Sequence, residues 1–146
     1  MEWAQELSQR KDSKIKTPAV IGSIIDLGYC LDLLDYKNLS IVKSAYSILR
    51  TTIDSANTAL PTNQGETLDL LRRELDCAVI ETLHTSLQTN NQKEYDTVRG
   101  VFWEGDPLYP NAGFREKDHI QICVRNPNCI KGYFLPRQLD SRFKAI

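Results

Sequence analysis

No apolar run in this chain approaches the ~20 residues needed to cross a bilayer, so a helical membrane span is not expected. Charge of one sign is also missing. The formal net charge is −1, which gives no electrostatic case for non-specific binding to nucleic acid or to a membrane surface. The segment Met1-Glu2-Trp3-Ala4-Gln5-Glu6-Leu7 has no basic stretch followed by an apolar one, so it does not read as a signal peptide. A cytoplasmic protein is the expectation. Four cysteines are present, Cys30, Cys77, Cys123 and Cys129, and none form a CxxC pair. They read as reduced, mostly buried thiols. His119, Cys123 and Cys129 are a conceivable zinc set, but their spacing matches no zinc motif, and no metal is expected. Gly-rich phosphate loops, GxSxG, HExxH, internal repeats and low-complexity segments are all absent.

What is present is ordinary for a globular protein: 146 residues, 41% hydrophobic and 25% charged. That length fits a single domain, residues 1–146, able to bury a core without covalent staples. Met1 to about Arg10 reads as a short helix, with Met1, Ala4 and Leu7 on one face. Pro18 to Ile25 is apolar on both faces and predicts a central strand. Cys30 to Asp35 reads as a short apolar turn. Asn38 or Ser40 is expected to cap a helix reaching about Asn57, and Glu66 to Leu87 carries the strongest helical stripe. Strands are expected at Tyr95 to Phe102, His119 to Arg125 and Cys129 to Leu135, with a turn-rich loop, Trp103 to Asp118, after the first. The last two strands either pair as a hairpin or separate to different parts of the sheet. The order of elements is an α+β pattern. A sheet whose first strand follows an orphan helix also suggests further strands upstream.

Candidate site residues are few. In His119-Ile120-Gln121, strand alternation puts His119 and Gln121 on one face, where the long loop delivers the chain. Rigid strands carrying polar groups under a loop are a common way to build a site. Glu104 and Arg115 lie in that loop and are its candidate substrate-side residues. His84, near a helix C-terminus, reads as a surface histidine or one that satisfies the helix dipole. Asp76 reads as partly buried and paired with Arg72 or Arg73. Asp26, Asp32 and Asp35 near Gly28 fit turn chemistry, with an active carboxylate pair as the alternative.

Three segments in fixed order carry a resemblance: Tyr95-Asp96-Thr97-Val98-Arg99-Gly100, Gln121-Ile122-Cys123-Val124-Arg125-Asn126-Pro127 and Ile130-Lys131-Gly132-Tyr133-Phe134. Together they resemble the C-terminal part of poly(ADP-ribose) polymerase-like ADP-ribosyltransferase domains. In that family a (Y/H)-(D/H)-S-V-x-G strand start precedes a loop, an E-Y-V-V-Y-N-P strand and a closing strand. The family's catalytic glutamate falls on Gln121, and the polar residue two before it falls on His119. Met1 to Leu7 looks like a helix that follows the family's first strands. The resemblance therefore implies a partial, split-sheet α+β fold lacking those N-terminal strands, which carry the family's NAD-holding histidine and nicotinamide-stacking tyrosine.

The activity so implied is transfer of ADP-ribose from NAD to an acceptor, macromolecular or small, with loss of nicotinamide, and the setting it suggests is a toxin or phage conflict. A carboxylate at the motif position stabilises the oxocarbenium-like transition state. Gln121 can accept a hydrogen bond from ribose but offers no charge, and His119 is a candidate base. The expectation is an inactive fragment of such a transferase that self-associates through an open sheet edge. The alternatives are a non-catalytic α+β interaction module and an unrelated small α+β enzyme.

Overall fold

The computed structural model describes residues 2–9, 13–65 and 72–136, and they form an α+β arrangement. The chain divides into two compact units, residues 1–26 with 128–146, and residues 27–127.

In the first unit, α1 spans Glu2–Gln9. Strand β1 (Gly22–Ile25) pairs antiparallel with β5 (Ile130–Phe134), Gly22 opposite Phe134 and Ser23 opposite Tyr133, with an irregularity between Ile24 and Ile25. The sequence predicts a central strand here. Among the described residues β1 has one partner only. Nor is the apolar run buried, since Ile21 is 64% and Ile24 61% exposed: an unbroken apolar run does not by itself supply the neighbours that would cover it.

The second unit holds a three-stranded sheet in the order β2-β3-β4: β2 is Cys30–Asp32, β3 Thr97–Phe102 and β4 His119–Val124. Strand β2 runs parallel to β3, in the segment expected to be a turn. Three residues are too few for alternation to show in sequence. What makes them a strand is the fully buried Leu31, opposite Val98, and the Asp32–Arg99 ion pair at 2.8 Å. A parallel pair needs a long crossover, and here two helices supply it. The β3–β4 pair is antiparallel, and β5 leaves for β1, so the last two strands do not form a hairpin with each other.

Helix α2 (Tyr36–Ala56) is capped by Asp35, whose carboxylate accepts from the Lys37 N–H at 2.9 Å. The two residues expected to cap it bond elsewhere: Asn38 donates to the Asp32 carbonyl and Ser40 to the Tyr36 carbonyl. Asn57 ends the helix in the left-handed conformation. Helix α3 spans Glu74–Thr89, later than its stripe predicts. Arg72 exchanges two backbone hydrogen bonds with Gln64, which removes it from a helical path, and Asn63 Oδ1 accepts from the N–H groups of Leu75 and Asp76. Residues 66–71, including Leu68 and Leu71 of the expected stripe, lie outside the described residues. Leu31, Ala45, Val79, Leu83 and Tyr95 form the core, with Val42, Leu49, Leu75, Ile80 and Leu87 packed against it. No helix among the described residues is long and apolar enough to cross a membrane.

Candidate functional site

Strands β3 and β4 are paired over their whole length, and their two ends are built differently. At one end the chain is clamped. The Asp96 carboxylate accepts from the Tyr29 N–H and from Asn126 Nδ2, both at 2.8 Å. The Asp96 carbonyl accepts from the N–H groups of Arg125 and Asn126, and the Asp96 N–H donates to the Tyr29 carbonyl. Thr97, fully buried, donates its hydroxyl to the Leu27 carbonyl at 2.6 Å. Tyr95 stacks on Tyr29 with ring centroids 4.5 Å apart. Gly28 makes the close approach possible: it adopts φ +57°, and a Cβ there would stand 2.8 Å from an Asp96 carboxylate oxygen. The bond from Asn126, then that from the Tyr29 N–H, hold the Asp96 carboxyl below the usual range. Burial first, then the neighbouring Tyr29 hydroxyl, push Tyr95 up to about 12. Arg125 lies in an ion pair with Glu81, which lowers the glutamate and raises the arginine.

At the other end stand the residues singled out in the sequence. His119 and Gln121 point to the same face of β4, opposite Phe102 and Gly100 of β3. Gly100 places no side chain across the ladder from Gln121. His119 Nδ1 lies 2.7 Å from the Lys117 carbonyl. A carbonyl only accepts, so Nδ1 carries the proton and, in the neutral ring, Nε2 presents its lone pair. Gln121 Nε2 lies 2.7 Å from that lone pair and donates to it. The Glu104 carboxylate approaches the same Nε2 at 4.0 Å, with side-chain exposures of 20% for Glu104 and 16% for His119. The His119 ring lies 6.1 Å from that of Phe102 at a shallow angle, and the Arg73 guanidinium sits 4.8 Å over the other ring. Three side chains from two segments thus meet at one imidazole nitrogen.

The loop at residues 103–118 holds this arrangement. Its two arms are joined by backbone bonds from Lys117 to Glu104, Glu116 to Asp106 and Leu108 to Phe114. Gly105 makes its bend at φ +82°. Arg115 takes part in the clasp: its guanidinium donates to the Gly105 carbonyl at 3.0 Å, and its N–H donates to the Asp118 carboxylate. Of the two loop residues expected at the site, the fold brings Glu104 to His119, whereas Arg115 fastens the loop. Trp103, Leu108, Tyr109 and Phe114 are exposed on it.

Other expectations resolve into structural roles. His84 is not a surface residue: it is 2% exposed and packed edge-on against Tyr95 at 5.9 Å. Its Nδ1–H donates to the Ile80 carbonyl at 2.9 Å, and its buried Nε2 has no hydrogen-bond partner among the described residues. The signal was present, because Ile80, His84 and Leu87 follow helical i, i+4, i+7 spacing. Asp76 is exposed, not partly buried, and pairs with Arg73 at 3.4 Å. Asp32 holds Arg99, Asp35 caps α2 and Asp26 faces Lys131 at 3.7 Å, so these aspartates are not gathered into one site. All four cysteines are free. Cys77 and Cys123 are exposed, contrary to the expectation of mostly buried thiols, whereas Cys129 is buried. Among the described residues no group of three or more His, Cys, Asp or Glu side chains is placed to hold a metal ion. An open groove of about 580 Å³ lies at the clamped end, lined by Tyr95, Asp96, Cys123, Arg125 and Asn126 among others. Its Asp96, Arg125 and Asn126 are already committed to holding strands and helix together.

The chain matches no protein-family model, no curated protein and no solved structure.

Proposed function

We propose that this protein is ADP-ribosyltransferase-like, binding NAD at the loop end of β3 and β4 and transferring its ADP-ribosyl group to an acceptor. The observation that carries the reading is the meeting of Gln121, His119 and Glu104 at one point. Gln121 is the residue that the family resemblance places at the catalytic position. In the reaction the bond between ribose C1′ and the nicotinamide nitrogen breaks. Its electron pair leaves with nicotinamide, which becomes neutral. The acceptor's lone pair closes on C1′, and the acceptor's proton passes to His119 Nε2, the nitrogen that carries none in the neutral ring. The carboxamide of Gln121 is suited to hold a ribose hydroxyl, as donor or acceptor.

The neutral amide at Gln121 favours a second reading, a module of the same fold that binds without turnover, because an amide contributes no charge to a developing cation. Calorimetric titration with NAD, followed by measurement of nicotinamide release, distinguishes the two. Saturable binding that Gln121→Ala abolishes is expected under both, and release only under the first. Binding that is absent, or indifferent to Gln121→Ala, would sink the assignment of this site.

A further inference from the structure

We infer that Glu104 is the carboxylate of this site, standing in space where the sequence motif places only an amide. The inference rests on the NAD reading above and deepens it. A ribosyl group leaving nicotinamide develops positive charge at C1′, and an anion close to it is worth far more than a neutral dipole. Gln121 cannot supply that anion. Glu104 can: its Oε1 and the Gln121 amide flank the same His119 nitrogen, at 4.0 Å and 2.7 Å. With Nδ1–H committed to the Lys117 carbonyl, Glu104 approaches the ring at Nε2, the nitrogen that accepts from Gln121, and at 4.0 Å it makes no hydrogen bond there. The position is also fixed from outside the side chain. The Glu104 carbonyl accepts from the Lys117 N–H at 3.0 Å, and Gly105 and Arg115 close the loop behind it. A loop residue 17 positions upstream of Gln121 therefore carries the charge, and the strand residue carries the hydrogen bond.

The substrate's own charge tests this. NAD carries a cationic nicotinamide ring and NADH a neutral one. A carboxylate facing that ring makes the protein prefer NAD by about tenfold, the worth of a modest ion pair. Titration of both dinucleotides into the intact chain and into Glu104→Gln reads the preference directly. The expected result is that Glu104→Gln, which keeps shape and removes charge, binds the two dinucleotides equally. Where nicotinamide release is measurable, it falls about a hundredfold in the same variant. The double variant Glu104→Gln with Gln121→Glu returns a carboxylate to the same nitrogen and is expected to recover the preference. A preference that survives Glu104→Gln, or one that the double variant does not recover, overturns the role of Glu104. NAD binding that still depends on Gln121 would then leave the proposed function standing. Absence of NAD binding in the parent chain overturns both.

Discussion

The same two strands end in two kinds of structure. At the Asp96 end nearly every polar group is spent on the chain itself: one carboxylate ties together β2, β3 and the turn after β4, a buried threonine fixes Leu27, and two tyrosines stack over the junction. At the His119 end the polar groups meet one another. Gln121 is exposed and bonds to His119, and the Glu104 carboxylate approaches the same ring at 4.0 Å. One end spends its hydrogen bonds on joining strands and turns, and the other gathers an amide, an imidazole and a carboxylate at the end of β4.

The comparison breaks most visibly at the clamp. Tyr95→Ala removes a buried, stacked ring and is expected to cost about 3–5 kcal/mol in denaturant unfolding. Thr97→Val, at a fully buried position, leaves the partly buried Leu27 carbonyl without its donor and is expected to cost about 1–3 kcal/mol. Neither replaces a group at the His119 end, so residual NAD binding by the folded fraction should survive both. A loss of affinity per folded molecule would show that the ends are coupled.

Proton linkage sharpens the same contrast. Asp96 and Glu81 are held below their ordinary values, so the unfolded chain takes up protons first as the pH falls. Their stabilisation is present above the unfolded carboxylate value of about 4 and is lost as pH drops through the lower folded values. Tyr95, raised to about 12, works in the opposite direction. Its contribution is full below the unfolded value of about 10 and is lost between there and about 12. Melting temperatures followed from pH 7 to 2 should fall less steeply below pH 4 in Asp96→Asn than in the parent. An unchanged slope would remove Asp96 from the clamp.

The smallest stability effect and the largest binding effect belong together at the other end. Gln121→Ala is expected to change unfolding free energy by no more than about 0.5 kcal/mol, as at other exposed positions. It should nevertheless abolish NAD binding. A destabilisation of several times that size would mark Gln121 as a packing residue.

Much of this was legible along the chain because it depends on local periodicity. The helical stripe of Leu75, Val79 and Leu83, the strand carrying His119 and Gln121, and the single face those two share all follow from spacing along one segment. What spacing could not reveal were pairings between segments. Strand β2 exists because Leu31 meets Val98 across a crossover of some sixty residues. His84 is buried because Tyr95 lies over it, and α3 starts at Glu74 because Arg72 bonds to Gln64. The approach of Glu104 to His119 depends on the folding of the loop between them. By itself the sequence determined the alternation that presents a histidine and a glutamine together. Only the tertiary structure decided which charge stands beside them, because a carboxylate 17 residues away is brought near by backbone hydrogen bonds that no side-chain pattern encodes.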